Sequence, residues 1–127
     1  MELTLHKPGD HNFIRSVGRN GITVKDEVYR DSLIVSADAL IPDWPVRSMK
    51  EITAAHFQAV VELGPEVVLL GTGEKQAFLP PEIMMSLYSK GIGVEAMTTE
   101  AACRTFNVLL SEDRNAVAAL IAISEAG

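Results

Sequence analysis

The pattern of apolar and polar positions is plainest at Val67-Val68-Leu69-Leu70. Four consecutive aliphatics leave no polar face, two of them are β-branched, and Pro65 and Gly71 bound the run. This predicts a short strand buried on both faces, as in a sheet covered by helices on each side. Helical spacing occurs before it (54–63) and after it (81–90), which puts the strand mid-sheet. It ends in Gly71-Thr72-Gly73, where an α/β sheet places a ligand.

The rest of the chain falls around this strand. Residues 1–12 are polar and turn-rich, and predict a loosely held N-terminal arm. Phe13–Val17 and Gly21–Val24 read as strands joined across Arg19-Asn20-Gly21, a hairpin signal because Asn and Gly tolerate positive φ. Lys25-Asp26-Glu27 predicts a second turn, and Val28-Tyr29-Arg30 leads into the buried run Ser32–Val35. Pro42 and Pro45 exclude a regular helix around Asp43-Trp44. Thr53 caps a predicted helix over 54–63, whose buried side carries Phe57, Val60 and Val61 until Gly64-Pro65 stops it. Pro81 opens the next helix, with Ile83, Met84, Leu87 and Tyr88 on its apolar face. Gly93–Met97 is a short strand. Thr98 caps a last helix whose stripe is Ala102, Cys103, Phe106, Leu109 and Leu110. Ala116–Ala122 reads as a final buried strand, although its alanines also allow a helix.

The predicted order is β-β-β-α-β-α-β-α-β. The expected fold is a three-layer α/β domain over residues 1–127, a mixed sheet with an N-terminal antiparallel β-meander. Strands linked by helices are expected to run parallel with right-handed crossovers.

Composition narrows the function classes. The 127 residues suffice for one core, and 47% are hydrophobic. A net charge of −6 argues against nucleic-acid binding, which needs clustered cations. The start, Met1–Lys7, reads as neither a secretory signal nor a transit segment, and no apolar run is long enough to insert in a membrane. One cysteine, Cys103, excludes an internal disulfide framework and fits a soluble, cytoplasmic protein.

Three stretches carry a family resemblance: Val68–Gly73, Gly91–Met97 and Ala101-Ala102-Cys103-Arg104-Thr105-Phe106-Asn107-Val108-Leu109. With Ser32-Leu33, Trp44-Pro45 and Ala118–Ile121, they resemble a family of small uncharacterised α/β domains. That family includes the mitochondrial complex I assembly factor 3 and an animal adipogenesis-associated protein. The resemblance implies a three-layer fold around a mixed sheet with one later strand antiparallel. It implies no established enzymatic activity and supplies no catalytic residues.

The candidate sites each have an ordinary reading beside a functional one. Gly71-Thr72-Gly73 follows a strand, but a dinucleotide fingerprint wants a third glycine where Gln76 stands and a helix opening at once. A turn or a non-nucleotide pocket loop is the reading adopted. Free N–H groups near Thr98 suit an anion, and Arg104, leaning back along the helix, is expected to reach the same crevice. Its ordinary role is a pair with Glu100. Trp44 is either a plug over the core or an exposed anchor for a partner. Cys103 lies on the apolar stripe, with no His near it in sequence, and reads as a buried small hydrophobe. His6, Asp10, His11 and His56 form no metal-ligand framework, so neither metal nor cofactor is expected.

The leading expectation is a non-enzymatic binding or assembly domain acting on an unknown protein partner; a homodimer is allowed. The alternative is a small-anion or small-molecule binder or enzyme using Gly71, Thr72, Gly73, Thr98 and Arg104.

Overall fold

The computed structural model describes residues 11–123 of the 127. Strand β1 (Ile14–Gly18) turns through Arg19-Asn20 into β2 (Gly21–Val24), and Lys25-Asp26 turns β2 into β3 (Glu27–Tyr29). Both pairings are antiparallel. Gly21 has φ 132°, and a Cβ there would lie 2.7 Å from the Tyr29 carbonyl oxygen, so the hairpin needs glycine at this point.

The chain then runs through β4 (Leu33–Ser36) and β5 (Leu40–Ile41) to two 3-10 turns, Met49–Glu51 and Ala54–Phe57. The second continues as α1 (Gln58–Leu63). Next come β6 (Val67–Gly71), α2 (Pro81–Tyr88), β7 (Gly93–Met97), α3 (Thr99–Ser111) and β8 (Ala116–Leu120).

The mixed α/β architecture agrees with the sequence, with one change of detail. The meander closes as its own three-stranded sheet, and β4 leaves it for a five-stranded sheet ordered β5-β4-β8-β6-β7. The reason lies in burial. Leu33, Ile34 and Val35 are all fully buried and need cover on both faces. In β2, buried Ile22 and Val24 alternate with half-buried positions, as suits a sheet with one wetter face. Strands β6, β7 and β8 are mutually parallel, and the final strand also runs antiparallel to β4.

Side-chain alternation splits the core in two. Val68, Leu70, Val117 and Ala119 face Phe57, Val60, Ile83 and Leu87. Leu69, Ala118 and Leu120 face Ala102, Cys103 and Phe106 of α3 and Ile14, Ile22 and Val24 of the meander. Each of the predicted core residues Val68, Leu70, Phe106 and Leu120 is buried, but they divide between the two sides of the sheet.

Asn107 fastens the meander to α3. Its Oδ1 accepts from the Ile14 N–H at 2.9 Å and its Nδ2 donates to the Ile14 carbonyl at 2.8 Å, as a neighbouring strand would. Tyr88, assigned from spacing to the buried face of α2, is 47% exposed. That helix stops at Tyr88, and Ile83 and Leu87 alone carry its fully buried contacts. Of the expected N-terminal arm, residues 1–10 lie outside the described residues. At its end Asn12 is already tied, its N–H to Ala37 O at 2.9 Å and its amide to Ser36 and Ala39 carbonyls.

Candidate functional site

The crossover from β6 through α2 places β7 on one side of β6. The crossover from β7 through α3 returns to the other side, where β8 lies. Right-handed crossovers in opposite directions put the two helices on opposite faces. The carboxyl ends of β6 and β8 therefore form a topological switch point, the usual ligand crevice of an α/β sheet. Gly71-Thr72-Gly73 leaves β6 there, and Ile121-Ala122 leaves β8.

Much of this edge is closed by the protein itself. The Thr99 hydroxyl, fully buried, accepts from the Gly73 N–H at 2.9 Å and donates to the Ile121 carbonyl at 2.6 Å. The Thr99 N–H donates to Gly73 O at 2.9 Å. The Thr98 hydroxyl accepts from the Ala101 N–H at 3.2 Å, and the Thr98 carbonyl accepts from Ala102 at 2.8 Å. Helix α3 thus begins against the sheet edge, with early N–H groups spent on internal partners. A single residue, Thr98, separates β7 from α3. Gly71 serves this contact: a Cβ there would lie 2.9 Å from the Thr99 Cα.

Arg104 does not join the loop. Its side chain is 69% exposed on the solvent side of α3, with the guanidinium 3.9 Å from Glu100. The sequence thus points to Gly71-Thr72-Gly73 and Thr98 at the carboxyl edge of the sheet, while its Arg104 lies on the exposed side of α3. The residue it misses is Thr99, whose only signal is the doubled threonine at the cap.

A hollow does open beside Thr72 and Gly73. It measures about 350 Å³, and its charged wall is Arg47, Lys50, Lys75 and Glu74; Thr98 and Arg104 take no part. It adjoins a larger hollow of about 690 Å³ that shares Arg47 and Ala122 and adds Arg19 and Arg30.

Trp44 forms part of the floor of this larger hollow but does not stand out from it. The residue is 5% exposed, and its ring meets Phe57 edge-on, with centroids 5.9 Å apart at 70°. The indole N–H donates to His56 O at 2.9 Å. This is the plug, not an exposed anchor, because burial of so large a ring outweighs its display. Ser32 pins the same loop: its hydroxyl donates to Val46 O at 2.6 Å and accepts from the Ala122 N–H at 2.9 Å. His56 closes the capping box of its own turn, accepting from the Thr53 N–H at 3.0 Å. His6 and Asp10 lie outside the described residues.

Cys103 is 3% exposed against the sheet, and burial pushes its thiol up to about 12. A neutral, inaccessible thiol is a poor nucleophile. A thiol reagent is expected to label Cys103 only after denaturation; rapid labelling of the native protein would contradict this packing. The pH dependence follows. Between the ordinary value near 9 and about 12 the unfolded thiol ionises while the folded one stays neutral. Stability is therefore expected to fall as pH rises through that window, and Cys103→Ala to flatten the fall.

One further surface feature stands apart. Phe78 is 88% exposed, Met85 66% and Tyr88 47%. Met85 and Tyr88, three residues apart on α2, share its outward face.

Comparison with known proteins places these observations. The profile of a family described as "Protein of unknown function (DUF498/DUF598)" matches residues 14–121. A 13 kDa major membrane protein of Francisella tularensis is 34% identical over 88 residues, 68% of this chain and 72% of its own. NADH dehydrogenase [ubiquinone] 1 alpha subcomplex assembly factor 3 of Xenopus tropicalis is 33% identical over 111 residues, 86% of this chain and 60% of its own. The chain spans about half the length of the mammalian assembly factors it matches. A crystal structure from Bordetella parapertussis superposes with a TM-score of 0.83 at 37% identity, covering 88% of this chain and 96% of the other. Among the described residues no helix is long and apolar enough to cross a membrane.

Proposed function

The chain belongs to this DUF498/DUF598 family, and from that premise we propose that it is a non-enzymatic protein-binding domain of the assembly-factor kind. The observation that carries the reading is the exposed pair Met85 and Tyr88 on the outward face of α2, with Phe78 exposed in the loop before that helix. Large side chains on a stable element, displayed to solvent, mark partner contacts, and aromatic residues and Met are enriched in them. The name of the Xenopus relative, an assembly factor, points the same way. Two further facts favour binding over chemistry. The Gly71–Gly73 loop and the Thr98 cap spend their donors on the protein itself, and the lone thiol is buried and neutral. The free thiol also goes with a reducing, cytoplasmic setting as part of this proposal.

The test is quantitative affinity capture with the native chain and with Met85→Glu/Tyr88→Glu. Both positions are exposed, so the melting temperature is expected to hold. Proteins enriched by the native chain are expected to fall by about tenfold or more with the variant. An unchanged capture profile would remove the observation on which the reading rests.

A further inference from the structure

The two hollows at the carboxyl end of the sheet form one cleft with a charge opposite to that of the chain. Arg19, Arg30, Arg47, Lys50 and Lys75 line it. Among the described residues the carboxylates on its walls are Asp31, Asp43 and Glu74. The chain carries 11 cations and 17 carboxylates, net −6. Five cations against three carboxylates make the described walls +2, in a chain whose net charge is −6.

The cations come from separate segments: the β1–β2 turn, the end of β3, the Trp44 loop, the first 3-10 turn and the loop after Gly73. They converge through folding and not through a basic run in sequence. Arg19 spans the rim to Glu74 at 3.5 Å. Among the described residues Arg30, Arg47, Lys50 and Lys75 make no ion pair. Cations left unpaired on an acidic domain offer a directed field for a negative partner.

The shape selects among anions. The hollows measure about 690 and 350 Å³ and, among the described residues, share only Arg47 and Ala122, so the cations are spread over both. Arg30 lines one hollow, Lys50 and Lys75 the other, and Arg47 stands between. Capture of a single phosphate or carboxylate requires donors gathered on one point. Donors strung along a cleft suit charges strung along a chain.

We infer that this cleft receives an extended acidic segment, a run of Asp and Glu side chains, presented by a protein partner. This inference rests on the protein-binding reading above and gives that partner a chemistry. The α2 surface would supply apolar contact, and the cleft orientation and rate of encounter.

The experiment is fluorescence anisotropy of a labelled octaglutamate peptide with the native protein, at low and at physiological salt. Octalysine serves as the opposite-charge control and inorganic triphosphate as competitor. Octaglutamate is expected to bind, to weaken as salt rises, and to resist displacement by triphosphate at equal charge. Arg47→Glu/Lys75→Glu is expected to weaken it by about tenfold or more. Lys90→Glu/Arg104→Glu, which changes net charge equally away from the cleft, is expected to leave it within about twofold. All four side chains are exposed, and unchanged melting curves are expected to show intact folding.

Absence of binding overturns the inference, as does equal weakening by the two charge reversals. Tighter binding of triphosphate, abolished by Arg47→Glu/Lys75→Glu, overturns it in favour of a compact polyanion. If octaglutamate fails while Met85→Glu/Tyr88→Glu still abolishes capture, the cleft assignment falls and the protein-binding reading stands.

Discussion

Replacing Phe106 by alanine is expected to cost the domain about 3–5 kcal/mol, by lost transfer energy plus the cavity left behind. Phe106 is fully buried and is among the largest enclosed side chains. It sits in the cluster where α3, the five-stranded sheet and the meander meet, with Leu69, Leu120, Ile14 and Ile22. One neighbour, Ile14, is held by the Asn107 clamp on the same helix, so the site has little freedom to collapse. A chain of this length should lose roughly 10–20 °C in melting temperature. That is a large part of the 5–15 kcal/mol that typically holds a domain together. Phe106→Leu keeps most of the volume and is expected to cost under about 1.5 kcal/mol. A melting curve unchanged by Phe106→Ala would contradict the placement of α3.

The same residue shows what the chain reveals before folding. Phe106 and Val68 announce themselves through local pattern, one by helical spacing and the other by an unbroken aliphatic run, and both are buried. The Arg19-Asn20 turn is legible for the same reason, because its chemistry is complete within a few residues. The departure of β4 from the meander is not. It rests on the burial of Leu33–Val35 by pairing with Ala118–Leu120, a strand far away in sequence. Tyr88 misleads because spacing gives a face but not the point at which the helix stops.

The candidate site divides along the same line. A buried strand ending in Gly-Thr-Gly points to the carboxyl edge of the sheet, and the hollow is there. Which cations line it was hidden, since Arg19, Arg30, Arg47, Lys50 and Lys75 belong to no motif and gather only through topology. Arg104 was the nearest cation in sequence to a free helix end. In the structure its guanidinium lies 3.9 Å from Glu100 on the exposed side of α3.

Replacing Thr99 by valine is expected to cost about 2–4 kcal/mol, although the two side chains have nearly the same shape. The hydroxyl is the link between β6 and β8 at the switch point, accepting from Gly73 N–H and donating to Ile121 O. Both contacts are buried, and T99V would leave a donor and an acceptor without their protein partner. Each such orphan costs roughly 1–3 kcal/mol. The Thr99 N–H keeps its bond to Gly73 O, so the loop should loosen and not detach. Thr99→Ser retains the hydroxyl and loses one methyl, and is expected to cost about 1 kcal/mol. Urea denaturation orders the three proteins, and hydrogen exchange at the Gly73 amide locates the damage. Exchange there should quicken in T99V and stay slow in T99S. If T99V is as stable as the native chain and its Gly73 amide exchanges no faster, the hydroxyl is not the seal. The edge beside Gly71–Gly73 would then be free to open toward a ligand.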